Sequence, residues 1–94
     1  MKYKLVIRSC AEQDITDALL WYEKRVKGLG AHFVFSVDAT IQSIQCNPKA
    51  YKNLRRVLLR RFPYGIYYFI KNEFIIVIAV YHEKRNPEDW MKRA

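Results

Sequence analysis

A chain of 94 residues, 51% hydrophobic and 15% aromatic, makes one domain over 1–94 that can fill a core without disulfide or metal staples. No run approaches the roughly 20 apolar residues of a membrane span. The N-terminal "MKYKLVIRSC" is too short and too charged for a secretory signal, so a cytoplasmic protein without membrane contact is expected. The formal net charge of +8 points to nucleic acid or an acidic protein segment as partner.

Residues 2–8, "KYKLVIR", alternate as a strand with Tyr3, Leu5 and Ile7 on one face. Ser9 and Glu12 then have the spacing of a capping box. The helix they open places Ala11, Ile15, Ala18, Leu19, Tyr22 and Val26 on one apolar stripe, with Trp21 off it and available to cover a neighbouring element. "KGLG" ends the helix, Gly28 suiting a left-handed C′ position. A second helix follows, with Val34, Val37, Ile41 and Ile44 recurring at three and four and Phe33 beside them, until Asn47-Pro48 stops it. Two amphipathic helices with so short a link predict an antiparallel helical hairpin.

After Pro48 the period changes to two. In residues 54–61, "LRRVLLRR", Val57 and Leu59 take one side and Arg56 and Arg60 the other. "PYG" is the expected turn, "IYYFIK" the next strand and Lys71-Asn72-Glu73 the next turn. "FIIVIAVYH" is apolar on both faces, as a central strand covered twice would be. "NPEDWMKR" carries helix signals, with Asn86 as N-cap and Pro87 after it. The predicted fold class is α+β, in the order β-α-α-β-β-β-α, with the helical hairpin packed on a small curved antiparallel sheet.

Charge is unevenly placed along this order. Five of the nine acids, Glu12, Asp14, Asp17, Glu23 and Asp38, precede residue 39, and none lies between Asp38 and Glu73. That window holds Lys49, Lys52, Arg55, Arg56, Arg60, Arg61 and Lys71. The arginines suit phosphates or an acidic helix, or else form a solvated strand face. Tyr64, Tyr67 and Tyr68 have the composition of a base-stacking platform. Aromatics are also ordinary strand residues, and alternation sends one of Tyr67 and Tyr68 to the core and the other to the open face. His82, at a strand end before Glu83, Lys84 and Arg85, is a residue type suited to general-base work. No nucleophile is spaced beside it, so a structural histidine bonded to backbone or to a nearby acid is the competing reading. His32 reads as plain surface. Cys10 and Cys46 form no CxxC pair and no His/Cys cluster has zinc spacing, so two free thiols and no metal or cofactor are expected. No Gly-rich phosphate loop, GxSxG elbow or paired-carboxylate signature is present.

Three stretches in order, "DITDALLWYEKRVKGLGAHFVFSVDATIQSIQCNPKAY", "RRVLLRRFPYGIYYFI" and "IIVIAVYHEKRNPEDW", make the chain resemble the RelE/ParE superfamily of type II toxin–antitoxin toxins over nearly its whole length. The resemblance implies a toxin neutralised by a small antitoxin whose C-terminal segment wraps it. A homodimer or a hetero-oligomer with the antitoxin is compatible with it. RelE-like members are ribosome-dependent mRNA endonucleases, whereas ParE-like members poison DNA gyrase.

The resemblance also implies which residues separate the branches. Nuclease members commonly carry a phosphate-stabilising arginine just before the hydrophobic-x-Tyr of the second hairpin strand, and here that place is Gly65. They end the last strand with an arginine or a His-Tyr pair, where this chain has His82 followed by Glu83. The C-terminal tyrosine of some members is replaced by the region of Trp90. The candidate catalytic groups are therefore His82, Arg61 and Arg85. The candidates for antitoxin or target binding are Arg55, Arg56, Arg60, Arg61, Tyr67, Tyr68 and Trp90. The ParE-like, non-hydrolytic branch is the expectation, with an mRNA interferase acting on the ribosome or a degenerate binding module as alternatives. The antitoxin is expected in apolar grooves beside the helical hairpin and on the Arg56/Arg60 face.

Overall fold

The apolar run at Phe74–His82 becomes the long inner strand of a four-stranded sheet. In the computed structural model, which describes residues 3–46, 56–85, 89 and 92, the elements are β1 (Lys4–Ile7), α1 (Ser9–Arg25), α2 (Leu29–Cys46), β2 (Arg56–Leu58), β3 (Tyr64–Lys71) and β4 (Phe74–His82). The strand order is β1-β4-β3-β2. The expected order of elements holds through β4, and the helical hairpin lies on one face of the sheet. The Asn47-Pro48 stop and, apart from Asp89 and Lys92, the C-terminal helix lie outside the described residues.

The sheet is mixed rather than wholly antiparallel. β2, β3 and β4 form the expected antiparallel meander, with Asn72 at φ 57 in the β3–β4 turn. β1 pairs with β4 in parallel, from Lys4 opposite Phe74 to Ile7 opposite Val77. Side-chain alternation specifies which residues are buried and reads the same in either direction, so it could not set the direction of β1.

The entry to α1 also differs from the capping box. Arg8 is the N-cap, without a side-chain cap bond. Its N–H donates to the Val77 carbonyl at 3.0 Å, so strand bonding runs up to the residue before the helix and leaves Ser9 no extended position. At the other end Val26 is the C-cap, extended at φ −144 and 59% exposed, which puts Lys27 rather than Gly28 at C′. Gly28 sits in the link at φ 90. Glu23 holds the link: its carboxylate accepts the N–H groups of Gly28 at 2.9 and 3.1 Å and of Gly30 at 2.9 Å. These bonds pull its carboxyl below the ordinary value, and they satisfy donors that the start of α2 leaves open.

Core residues occupy both faces of the sheet. Toward the helices, Ala11, Ala18, Phe33, Val37, Ile41 and Ile44 pack on Val57, Leu59, Ile66, Tyr68, Ile75, Val77 and Val80. Phe33 rather than Val34 joins the buried stripe of α2. On the opposite face Tyr67, Ile78, Ala79 and Tyr81 form a second buried cluster. A bulge makes this possible, since the register steps from Tyr67/Ala79 to Tyr68/Val77 and makes Ile78 the extra residue of β4. Ile78 and Ala79, consecutive in the chain, thereby join the same cluster. Among the described residues no helix is long and apolar enough to cross a membrane, and no group of three or more His, Cys, Asp or Glu side chains could hold a metal.

Candidate functional site

Two clefts open along the seam between the helical hairpin and the ends of β3 and β4. The first, of about 600 Å³, lies between α1 and the strand ends, with Asp14, Asp17, Trp21, Tyr64, His82 and Arg85 on its walls. The second, of about 860 Å³, lies between the start of α2 and the β2–β3 connection, with Leu29, His32, Phe35, Arg60, Arg61 and Phe62. Tyr22 and Pro63 border both.

The ridge between the clefts is an aromatic cluster. The Tyr22 ring stacks on Phe33 at 5.5 Å and meets Phe62 at 4.9 Å and Tyr64 at 6.1 Å edge to face. Burial pushes the phenols of Tyr22 and Tyr64 above their ordinary value, and for Tyr22 the neighbouring Tyr64 adds to it. Both therefore stay neutral near pH 7 and act as hydrogen-bonding groups rather than bases. Trp21 leans edge-on against Tyr22 at 5.0 Å, and the Arg25 guanidinium lies 4.3 Å from its ring centroid. Asp14 is fixed across the sheet by the Val80 N–H, which donates to its Oδ2 at 3.1 Å.

His82 is half-buried on the helix side of β4, its ring 5.3 Å from that of Tyr64 on the paired strand. Its Nδ1 accepts the Lys84 N–H at 3.1 Å, which leaves Nε2 as the ring nitrogen facing outward chemistry. A bond to backbone is thus present at one ring nitrogen. Arg85 reaches the same cleft, but its guanidinium lies 3.9 Å from the Tyr81 centroid and its Nε donates to Asp89 at 3.2 Å. Arg61 borders the second cleft, beyond Pro63. The structure thus brings His82 and Arg85 together and keeps Arg61 apart from them.

The binding candidates divide as well. Arg60 and Arg61 are exposed beside the second cleft. Arg56 and Arg60 do not share a strand face, because β2 ends at Leu58 and Arg60 lies in the connection. Tyr67 and Tyr68 point to opposite faces, but both are buried, at 2% and 0% exposure, so neither ring is a stacking platform. Arg55 and Trp90 lie outside the described residues.

Gly65 is a strand residue, not part of the turn. It pairs with Leu58 of β2 and Tyr81 of β4, and the connection is Leu59–Pro63 instead. A Cβ at Gly65 would lie 3.2 and 3.3 Å from Cγ and Cδ of Arg56 and 3.3 Å from Cδ2 of Leu58. The space above this glycine is crossed by the Arg56 stem. By strand parity Gly65 faces away from the helices, whereas Tyr64 and His82 face them.

Sequence reasoning missed Asp14, Asp17, Tyr22, Phe35 and Phe62 as cleft residues. Tyr22 lies on the apolar stripe of α1, which marks a core residue and not a cleft wall. Phe35, 77% exposed, did leave a signal, being a large aromatic off the apolar stripe of α2.

The family model describing the ParE toxin of type II toxin–antitoxin system, parDE, matches residues 5–87. No curated protein matches the chain. Among solved structures, a chain of the chromosomal ParDE TA system from P. aeruginosa superposes with a TM-score of 0.68 at 17% identity, over 85% of this chain and 95% of that one. The two share the fold of two helices on a four-stranded mixed sheet.

Proposed function

The chain belongs to the ParE toxin family of type II toxin–antitoxin systems, and on that premise we propose that it arrests growth by inhibiting DNA gyrase, serves a plasmid-stabilisation module, and is held inactive in a hetero-oligomer with a cognate antitoxin. The non-hydrolytic branch is supported by one observation above others: His82 and Gly65 lie on opposite faces of the sheet. RNA cleavage needs a base for the 2′-OH, an acid for the leaving 5′-oxygen and a cation at phosphorus, all converging on one phosphodiester. Here the only histidine of β4 points toward α1, Arg61 borders a different cleft, and the place of the nuclease arginine is a glycine facing the other way. Purified protein should inhibit supercoiling by gyrase at micromolar concentrations. Supercoiling that continues unchanged across that range would remove this reading.

The interferase reading keeps one observation in its favour, since His82 and Arg85 border one cleft with the neutral phenols of Tyr22 and Tyr64. It requires codon-phased cuts in translated messages, seen by primer extension and lost in His82→Ala. Messages left intact would dismiss it.

A further inference from the structure

The two clefts have opposite chemistry on either side of a shared ridge. Tyr22 and Pro63 border both, so a chain lying in one can continue into the other across the Tyr22 ring. In the first cleft α1 presents Asp14 and Asp17, one turn apart, beside the half-exposed indole of Trp21 and the ring of Tyr64. The basic groups at its border are engaged. Arg85 stacks on Tyr81 and donates to Asp89, and the Nδ1 of His82 is taken up by the Lys84 N–H. In the second cleft Arg60 and Arg61 stand exposed at the rim, above an apolar surface made by Leu29, Phe35 and Phe62.

We propose that the clefts form one docking track for a single extended segment of a protein partner, with an apolar residue flanked by acids in the second cleft and a lysine or arginine in the first. The identity of the partner as the antitoxin rests on the toxin reading; the chemistry of the segment comes from the clefts. Carboxylates and aromatic faces both attract a cation, and the exposed arginines attract acids. Opposite charges at the two ends determine which end of the segment lies where, since like charges across an interface oppose docking. The exposed ring of Phe35 supplies apolar area for the anchor.

Fluorescence anisotropy with the full chain and two labelled synthetic peptides of about twelve residues tests the track. Both peptides carry a leucine flanked by glutamates near one end. The other end carries an arginine in the bipolar peptide and a glutamate in the all-acidic one. General attraction to a chain of net charge +8 favours the all-acidic peptide. The track instead requires the bipolar peptide to bind about tenfold tighter. Asp17→Arg should reverse that preference, and Phe35→Glu should weaken both peptides about tenfold. An all-acidic peptide that binds as well or better on the unaltered chain overturns the proposal, as does a preference that Asp17→Arg leaves unchanged. Self-association abolished by Phe35→Glu would assign the second cleft to another copy of the chain and also overturn it. Gyrase supercoiling on the same proteins separates the two readings. Inhibition without peptide preference removes the track and leaves the toxin, and preference without inhibition does the reverse.

Discussion

The two faces of the sheet are made from the same strands and are put to different use. Toward the helices, Tyr64 and His82 lie cross-strand and border an open cleft. One residue away on each strand, Gly65 and Tyr81 are paired on the other face, among Arg56, Leu58, Tyr67 and Arg85. Adjacent residues of a strand point to opposite faces. His82 and a cation placed at position 65 would therefore have no phosphate in common, and function follows strand parity as much as residue type.

The comparison is most severely tested by the adjacent tyrosines. Tyr67 and Tyr68 belong to different clusters, yet both are buried. Truncating a large buried ring costs about 3–5 kcal/mol. Tyr68→Ala and Tyr67→Ala should each lower stability by roughly that amount in urea unfolding. A Tyr67→Ala protein destabilised by less than about 1 kcal/mol would show that the face away from the helices is a surface rather than a core.

Smaller effects separate the glycines. A Cβ at Gly30 would lie 2.8 Å from the Leu19 carbonyl oxygen, a backbone atom of α1, and 3.0 Å from Glu23 Oε1. Gly30→Ala must push the helices apart, at about 1–3 kcal/mol by thermal or urea unfolding, despite the better helix propensity of alanine. At Gly65 the nearest atoms belong to the flexible stem of Arg56 and the end of Leu58. There Gly65→Ala should stay within about 1 kcal/mol of the parent, crowding being offset by the relief of glycine entropy. Gly65→Arg sharpens the functional side of the comparison. It supplies a cation at the place nuclease relatives use, but on the face away from His82, so primer extension should find no new cuts. Cleavage gained by this one change would refute the parity argument.

Much of this was legible in the sequence, and what was not has identifiable physical causes. The 3.6-residue stripes and the doubly apolar β4 specified the helical hairpin and the inner strand, because burial leaves a periodic trace. The parallel pairing of β1 left none, since alternation carries no direction. The bulge at Ile78 was equally silent, as a single residue of slippage does not alter an all-apolar run. The arginines of "LRRVLLRR" alternate on paper, but the strand ends at Leu58 and sends Arg56 and Arg60 to different places. The clefts depend on where α1 crosses the strand ends. Asp14 and Asp17 therefore read only as two of the early acids until the fold sets Asp14 against Val80.

The smallest effect concerns the link that holds the two helices over the cleft-bearing face. Glu23 is fully exposed, and its carboxylate is stabilised by the N–H groups of Gly28 and Gly30. Its folded value lies below the ordinary 4.5, so the folded state holds this proton less tightly than the unfolded chain does. The resulting stability is complete above the unfolded value and is lost as pH falls through the folded one. Glu23→Gln removes the charge while leaving one amide oxygen as acceptor. The parent should melt slightly above this variant at neutral pH, by a constant margin down to about pH 5, and the margin should close in more acidic solution. A margin that stays the same through acid pH would mean that the glycine N–H groups gain nothing from the carboxylate charge. The hairpin would then owe its angle to packing at Gly30 alone.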